Sequence, residues 1–454
     1  MILAVRNVVR SRFHIILFLF FGCIASSFGT CYLAAQSYSA EVPPMGWNSW
    51  DAYGTTVRED EVKANADVMA KELARFGWQY IVVDIQWYEP NARSHGYREN
   101  AQLDMDDYGR LMPATNRFPS AANGAGFKAL ADYIHNRGLK FGIHILRGIP
   151  RQAVARNSSI YGATQHAQDI ADTQHVCRWN TDMYGVDMSK PGAQAYYDSI
   201  VSQYAQWGVD FIKADDMSSP YHADEIAALH RAILKSGRPI QLSLSPGPAP
   251  VDQVEDLRAN AEMWRIEDDL WDDWKSIKNM YFRTETWAPF VTPGHWPDAD
   301  MLPLGHIGIR AERGEDRLSR LTHDEQRTVM TLWGIFQSPL MFGGDLPTLD
   351  PFTRSLLTNA NVLAVSQHGS HPEVKYRNKD LRVWTSSADG ARDKYVAIFN
   401  LSDSQETTVL KWDDIGIDWR PRKVRNLWTG KQTAAGREVK INLAPHASSL
   451  LHVQ

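Results

Sequence analysis

The chain has 454 residues, of which 44% are hydrophobic and 22% are charged, and its formal net charge is −5. This length exceeds that of one ordinary domain and predicts a large domain with a smaller one. The composition is that of a globular protein, which excludes disordered, collagen-like and multi-span membrane chains. The mildly acidic balance argues against a dedicated nucleic-acid-binding protein, which normally carries a basic patch.

The first forty residues have the pattern of a secretory signal. Three arginines within the first 12 residues precede an apolar run at 15–21, and small and polar residues follow. We therefore expect residues 1–40 to be removed and the protein to be secreted or periplasmic, without stable membrane insertion. An uncleaved anchor helix stays open, although the run is short for a membrane span. Removal would leave Cys177 as the one cysteine, which we interpret as buried and structural rather than as a catalytic thiol.

From residue 43 to about residue 344 the chain alternates short apolar segments with amphipathic ones. The predicted strands are 45–50, 80–85, 139–145, 209–215, 240–245, 262–269, 294–301 and 338–344, and helices are predicted at 59–76, 127–137, 193–207 and 223–235. Eight strand–helix repeats over about 300 residues predict a parallel (β/α)8 barrel, with residues 41–366 as its domain. A doubly wound open sheet is disfavoured because no glycine-rich phosphate loop follows an early strand.

The last part of the chain, residues 367–454, loses the helical periodicity. Seven short strands separated by Asn, Asp, Gly and Lys turns are predicted there, at 371–377, 381–385, 395–401, 407–412, 424–428, 439–443 and 449–453. This pattern predicts a C-terminal antiparallel β-sandwich. Because no low-complexity linker separates the two parts, we expect them to pack closely.

The C-terminal ends of the predicted barrel strands, where active sites lie on this fold, are rich in carboxylates. In chain order these ends carry Trp50 and Asp51, Asp84, His144, Asp215 and Asp216, Ser245, Asp269, Asp298 with Asp300, and Asp345. A single aspartate at a strand end usually caps the next helix, and that interpretation stays open for Asp51 and Asp345. Four further aspartates are interpreted as solvated or capping: Asp216, Asp268, Asp272 and Asp273.

Alternation along a strand places residues two apart on one face. Lys213 then shares a face with Asp215. The set 265, 267 and 269 forms a second such face, and the set 296, 298 and 300 forms a third. If these faces point to the barrel axis, Asp84, Asp215 and Asp269 converge at one mouth.

Two opposed carboxylates with aromatic walls suit the cleavage of a glycosidic bond. One carboxylate must stay ionised to attack the anomeric carbon, and the other must hold a proton for the leaving oxygen. Lys213 favours the ionised form of Asp215, which makes Asp215 the candidate nucleophile and Asp269 the candidate acid. The 16 Trp and 17 Tyr residues supply rings that could stack on sugars, although core packing also explains them.

Several motifs resemble glycoside hydrolase family 27, the melibiase-type α-galactosidases. They are PPMGWNSW at 43–50, GVDFIKAD at 208–215, WRIEDD at 264–269 with Trp274, WPDADML at 296–302, and the stretch from Asp324-Glu325 to Pro339-Leu340. The resemblance implies a retaining mechanism on a terminal α-linked sugar of an oligosaccharide or polysaccharide, with Asp215 as nucleophile and Asp269 as acid/base. It implies sugar-hydroxyl contacts from Asp84, Lys213, Arg265 and Asp300, an aromatic wall from Trp50, and no metal or organic cofactor.

The chain departs from the family pattern around the sugar. Ile85 stands where the family usually has a second aspartate near the sugar's 6-position, and Ala214 replaces a tyrosine. His144 stands where an aromatic residue is expected, and Ser245 resembles the arrangement of α-N-acetylgalactosaminidases. We expect an α-galactosidase. A relative with another specificity stays open (α-N-acetylgalactosaminidase, β-L-arabinopyranosidase or α-glucan-trimming enzyme), as do an inverting hydrolase and a non-catalytic sugar-binding protein.

Overall fold

The computed structural model describes residues 40–388, 392–418 and 423–454. Apart from Ala40, the expected signal segment lies outside the described residues. None of the helices in these ranges combines the length and apolar character that crossing a bilayer requires. Cys177 is buried and carries a free thiol, as expected for a structural cysteine.

The eight strands predicted for the first part of the chain are all present. They are β1 Met45–Asn48, β2 Tyr80–Val83, β3 Lys140–Leu146, β4 Phe211–Asp215, β5 Gln241–Leu244, β6 Met263–Arg265, β7 Trp296–Asp298 and β8 Leu340–Phe342. They pair in parallel in the order β7-β6-β5-β4-β3-β2-β1-β8. A parallel bridge between Leu302 and Phe342 joins the two ends of the sheet, and the Leu302 backbone N–H donates to Met341 at 2.8 Å. The curled sheet confirms the predicted barrel.

Helices follow the barrel strands. The α-helices are Trp50–Tyr53, Glu59–Val68, Lys128–His135, Arg151–Arg156, Ala167–Ile170, Ala193–Trp207, Ala223–Ser236, Val254–Asn260, Trp274–Trp287, His323–Phe336, Pro351–Leu357 and Ala360–His368. The predicted helix 193–207 is matched at both ends. The predicted helix 59–76 is instead an α-helix followed by a π-helical turn, Met69–Leu73, and a 3-10 turn, Ala74–Phe76.

Five short strands were not predicted, and all lie in the connections between barrel strands. Ile149–Pro150, Met183–Val186 and Ala171–Val176 form a three-stranded sheet in the connection after β3. His306–Ile307 and Arg317–Leu318 form a hairpin in the connection before β8. These strands are short or partly exposed, so they lack the apolar alternation on which strand prediction depends.

The C-terminal part is antiparallel, as predicted. Its strands are β9 Ser370–Arg377, β10 Leu381–Ser387, β11 Lys394–Asn400, β12 Glu406–Lys411, β13 Lys423–Asn426, β14 Gln432–Ala434, β15 Glu438–Leu443 and β16 Ser448–Val453. Six of them form one sheet in the order β9-β10-β11-β16-β13-β14, and β12 pairs with β15. Only β14 was missed, because its three residues are all exposed and give no hydrophobic signal.

The centre of the six-stranded sheet is buried on both faces. Along β11, Ala397 and Phe399 belong to the core shared with the barrel, whereas Val396 and Ile398 belong to the separate core inside the sandwich. This burial on both faces explains why the sequence of β11 is a nearly continuous run of apolar residues. Helix His323–Phe336 lies against this sheet and is buried along almost its whole length.

Polar contacts also join the barrel helices to the sandwich. The ring of His446 stacks on Trp274 with centroids 4.0 Å apart, and its two nitrogens contact Glu325 at 2.7 Å and Asp403 at 2.8 Å. The Trp428 indole N–H donates to the Thr331 hydroxyl at 2.9 Å. The two parts pack closely, as the absence of a linker predicted.

Candidate active site

A cavity of about 360 Å³ opens at the C-terminal ends of the barrel strands. Five of the predicted site residues line it: Trp50, Asp84, Lys213, Asp215 and Asp269. The other four lie behind this lining. His144 contacts Asp215, Arg265 joins Asp269 to Asp300, and Ser245 is buried beside Pro246. The sequence therefore identified residues that the fold brings to one place.

Lys213 lies at the centre of the charged groups on the cavity floor. Its Nζ donates to Asp84 Oδ2 at 2.9 Å, and the Asn48 amide donates to the same oxygen at 2.7 Å. Burial alone would raise the pKa of Asp84, but Lys213, His144 and Asn48 outweigh burial and lower it. Burial would lower the pKa of Lys213, yet Asp84, Asp215 and Asp269 outweigh burial and raise it. Both partners of this pair are therefore charged at neutral pH.

Asp215 ends β4 and has donors on both carboxylate oxygens. Its Oδ2 lies 3.1 Å from His144 Nε2, and its Oδ1 accepts from the Asp216 backbone N–H at 2.9 Å. Burial would raise the pKa of Asp215, but the hydrogen bond and charge of His144 and the charge of Lys213 lower it to about 2. Asp215 is thus held as a carboxylate at neutral pH, which is the state that nucleophilic attack requires.

Asp269 lies closer to solvent than the other two carboxylates. The exposed fraction of its side chain is 31%, against 2% for Asp84 and 13% for Asp215. Its Oδ1 accepts from Arg265 at 3.3 Å, and Arg265 also pairs with Asp300 at 2.7 Å. A group that exchanges protons with a leaving group and with water needs such access.

Asp300 supports this side of the cavity from below. It has a positive φ of 81°, and its Oδ2 accepts from the Leu270 backbone N–H at 2.7 Å. This contact fixes the start of the loop that follows Asp269. Burial and the charges of Asp269 and Asp298 raise the pKa of Asp300 against the opposing effect of Arg265.

The predicted face of residues 265, 267 and 269 is only partly correct. β6 ends at Arg265, so strand alternation does not extend to the later residues. Glu267 turns away to accept from Arg283 at 2.6 Å, whereas Asp269 returns to the cavity through the loop. The predicted strand 262–269 was therefore too long.

The capping interpretations of Asp51 and Asp345 are not supported. Asp51 is buried, and neither of its carboxylate oxygens has a hydrogen-bond partner among the described residues. Burial, together with the charges of Asp300 and Asp269, raises the pKa of Asp51 well above its usual range. Asp345 accepts from the Tyr53 hydroxyl and, at 2.6 Å, from the Thr348 hydroxyl rather than from a helix N–H.

Two of the aspartates interpreted as solvated or capping are buried ion-pair partners, so that interpretation was wrong for them. Asp272 pairs with Arg317 at 2.6 Å, and Asp216 pairs with Arg147 at 2.9 Å. The sequence could not show this, because each arginine is more than 40 residues away along the chain. Asp273 does cap a helix, through the Ser276 backbone N–H, and Asp268 is exposed.

Arg147 organises the chain directly behind Asp215. Its backbone N–H donates to the Asp215 carbonyl at 2.9 Å, and its side chain contacts both the carbonyl and the carboxylate of Asp216. It also donates to Glu225 at 2.6 Å, and Glu225 accepts from the Tyr197 hydroxyl at 2.5 Å. Burial raises the pKa of Asp216 to about 6, with Arg147 opposing this effect and Asp215 adding to it.

Loops supply the cavity residues that the sequence did not single out. Tyr97, Trp179, Glu312 and Arg313 come from the connections after β2, β3 and β7. Periodicity carries no information in such connections, so only their positions in three dimensions reveal them.

Two family models match most of the chain. The model described as alpha galactosidase A matches residues 42–190 and 184–368, and the alpha galactosidase C-terminal beta sandwich domain matches residues 378–453. The chain belongs to the alpha-galactosidase family, glycoside hydrolase family 27. It is a glycoside hydrolase, and the sandwich predicted at its C-terminus is the one that this family carries.

Relatives of this hydrolase differ in the sugars named in their descriptions. An alpha-galactosidase of Cyamopsis tetragonoloba is 28% identical over 92% of this chain and 87% of its own length. A β-L-arabinopyranosidase of Geobacillus stearothermophilus is 55% identical over 91% of this chain and 97% of its own, with a TM-score of 0.90. A variant of that enzyme, solved in complex with arabinose, is 53% identical over 93% of this chain and 99% of its own, with a TM-score of 0.91.

A third relative is named for another sugar. A putative alpha-N-acetylgalactosaminidase of Bacillus halodurans is 50% identical over 91% of this chain and 97% of its own, with a TM-score of 0.82. The comparisons therefore establish the family of this hydrolase, but they do not show which sugar it prefers.

Replacing Arg147 with methionine tests the ion-pair cluster behind Asp215. The change leaves Asp216 and Glu225 buried without their cation, which costs about 3–5 kcal/mol when both are ionised. Their pKa values are already raised, so the folded form takes up protons as the pH falls and the cost shrinks. We expect R147M to lose far more unfolding free energy at pH 8 than at pH 5, measured by chemical denaturation.

The matched control is R283M. Arg283 pairs with Glu267 at 2.6 Å, but both side chains are partly exposed, so its loss should cost below about 1 kcal/mol at either pH. An R147M variant with the same loss at both pH values would contradict the electrostatic account.

Proposed function

We propose that the chain is a retaining exo-glycosidase that acts by double displacement on a terminal sugar. The observation that supports this most is that Asp215, held ionised, lines the same cavity as the more exposed Asp269. Asp215 attacks C1 while Asp269 protonates the departing oxygen, which forms a glycosyl–Asp215 ester and releases the leaving group. Asp269 then takes a proton from water, which attacks C1 and frees Asp215.

Lys213 and Asp84 have the chemistry to bind the sugar's hydroxyls. Lys213 and Asp84 are paired and charged and line the cavity floor, so a hydroxyl can donate to the carboxylate and accept from the ammonium. Arg265 braces Asp269 from behind. Trp50 lines the cavity, where its ring supplies an apolar wall for the sugar.

We propose that the preferred sugar is a β-L-arabinopyranoside rather than the α-D-galactoside expected from the sequence. The two sugars share one ring configuration, except that arabinopyranose lacks the hydroxymethyl group at C5. Ile85 lines the cavity next to Asp84 and is buried, so it presents aliphatic surface where the family pattern has a carboxylate. A hydroxymethyl group buried there would lose its hydrogen bonds to water and gain none from Ile85. The relative of known structure named as a β-L-arabinopyranosidase agrees with this proposal.

An N-acetylgalactosaminide fits the site less well. Ser245, which suggested that specificity, is 1% exposed, and its hydroxyl has no hydrogen-bond partner among the described residues. It is buried rather than placed in the cavity lining. Room for an N-acetyl group would have to come from another part of the wall.

Paired azide-rescue experiments test the two catalytic roles. D215A should lose at least about 10³-fold in kcat on an aryl glycoside, because the covalent step is removed. Azide should restore turnover of D215A and yield a glycosyl azide of inverted configuration. D269A should instead yield a glycosyl azide with the substrate's configuration, because its nucleophile is intact. The products are identified by NMR.

The control for both variants is D252A, which removes an exposed aspartate that does not line the cavity. Its kcat should match that of the wild type. Near-normal turnover by D215A would refute the assignment. So would an azide product of inverted configuration from D269A and one with the substrate's configuration from D215A. Inversion by the wild-type enzyme would show the inverting mechanism.

The substitution I85D tests the sugar preference. The wild type should have a higher kcat/KM on aryl β-L-arabinopyranoside than on aryl α-D-galactopyranoside, by roughly tenfold or more, since a buried unpaired hydroxyl costs about 1–3 kcal/mol. I85D should narrow or reverse this ratio by offering the hydroxymethyl group an acceptor. I85V keeps the aliphatic surface and should keep the preference. A wild-type enzyme that prefers the galactoside would refute the proposal.

We also propose that residues 1–40 direct the hydrolase across a membrane and are then removed, leaving a barrel domain at 41–366 and a sandwich at 367–454. The support is the arginine-rich start and the short apolar run that follows it. Mass spectrometry of the protein recovered outside the cytoplasm should give an N-terminus near residue 41. An intact N-terminus on a membrane-bound protein would show an anchor instead.

A further inference from the structure

Three aromatic rings lie in a row from the cavity floor to its rim. Trp50 is buried and stacks against Tyr97, with centroids 5.9 Å apart and planes 19° apart. Tyr97 in turn contacts Trp179, with centroids 5.3 Å apart and planes tilted by 48°. Trp179 is 38% exposed, and all three rings line the cavity. The aromatic wall therefore continues beyond the floor that holds Asp215.

The facing wall is charged. It consists of Asp268, Asp269, Glu312 and Arg313, and Glu312 lies 3.7 Å from Arg313. After burial, Glu312 is the group that raises the pKa of Tyr97 most, and Asp269 contributes to the raised pKa of both Tyr97 and Glu312. Tyr97, Asp269 and Glu312 also line the same cavity, so they share one space. That space lies on the side of Asp269, from which the leaving group departs.

Trp179 is held in its exposed position by buried contacts. The next residue, Asn180, is buried, and its Oδ1 accepts from the Asp182 backbone N–H at 2.7 Å. Asp182 Oδ2 in turn accepts from Gln86 at 2.5 Å and from Tyr88 at 3.1 Å. Because this loop is already held in place, the Trp179 ring loses little conformational entropy when a ligand binds against it.

We propose that Tyr97 and Trp179 form the binding site for the first sugar ring of the leaving group, a subsite that rests on the proposed glycosidase function. A pyranose has an apolar C–H face that suits the two rings, and hydroxyls on its edge that suit the carboxylates and Arg313. A lipid leaving group would desolvate the charged wall without giving it hydrogen bonds. The structure thus favours a neutral sugar at this position.

The subsite also accounts for the placement of Asp269 during the first step. When the C1–O bond breaks, the electron pair stays on the departing oxygen and Asp269 supplies its proton. The departing sugar must then hold that oxygen within hydrogen-bond reach of Asp269. Stacking against Tyr97 and Trp179 would hold the sugar ring so that its oxygen stays within reach of Asp269. The two aromatic rings should therefore increase the rate only when the leaving group is large enough to contact them.

Two substrates that share the same glycon and differ in the leaving group distinguish the contribution of this subsite from that of the rest of the site. One substrate is the glycosyl fluoride, whose leaving group is too small to touch Trp179. The other is the disaccharide in which glucose takes the place of fluorine. W179A should lower kcat/KM on the disaccharide by about tenfold, in line with the loss of one stacking ring, and leave the fluoride within about twofold of the wild type. W179F, which keeps a ring, should recover most of the loss.

The control is F282A, which removes an aromatic side chain that is 69% exposed on helix Trp274–Trp287, and it should change neither rate. Equal losses on both substrates in W179A, or no loss on either, would overturn the subsite. A loss on aryl glycosides that exceeds the loss on the disaccharide would overturn the assignment to a sugar. A wild-type enzyme that hydrolyses neither substrate would instead refute the glycosidase function itself.

Discussion

Two cations at the mouth of the barrel, the partly buried Lys213 and the buried Arg265, determine the charge distribution there. Among the described residues around them are more carboxylates than cations: Asp51, Asp84, Asp215, Asp269, Asp298 and Asp300. The carboxylates cannot all be ionised in so small and dry a space, because each uncompensated charge carries a large desolvation cost. Asp84 and Asp215, next to Lys213, keep lowered pKa values, whereas Asp51 and Asp298 have raised ones. His144 and the ammonium group of Lys213 thus together determine which carboxylate stays ionised at the cavity.

The barrel strands position Lys213, Asp215 and His144, whereas Asp269 reaches the cavity through a loop. Lys213 and Asp215 are two residues apart on β4, and the register pairs His144 on β3 with Lys213. Lys213, His144 and the proposed nucleophile Asp215 are therefore fixed by backbone hydrogen bonds, which tolerate little movement. The proposed determinants of specificity, Ile85, Tyr97 and Trp179, instead follow the strands. This separation allows one charge arrangement to serve enzymes with different sugars.

Sequence reasoning worked where a pattern has a direct geometric meaning. Alternation predicted that Lys213 and Asp215 share a face, since both lie within one strand. It failed for Glu267, because β6 ends two residues earlier and alternation has no meaning outside a strand. It also failed for Asp216, because its partner Arg147 is 69 residues away and nothing in the sequence links the two. Trp179 was missed because its place in the aromatic wall depends on a loop, and the sequence of that loop has no periodicity.

Ile85 connects the choice of sugar to the charge arrangement. A carboxylate at this position would stand beside Asp84, where Lys213 already balances two aspartates. It would either compete for Lys213 and weaken the ionisation of Asp215 or hold a proton of its own and act as a neutral donor. An isoleucine avoids that competition and leaves Lys213 to Asp84 and Asp215. On the proposed function, Ile85 therefore both narrows the sugar range and helps to keep Asp215 charged, so a carboxylate at this position has to be compensated elsewhere among the buried carboxylates.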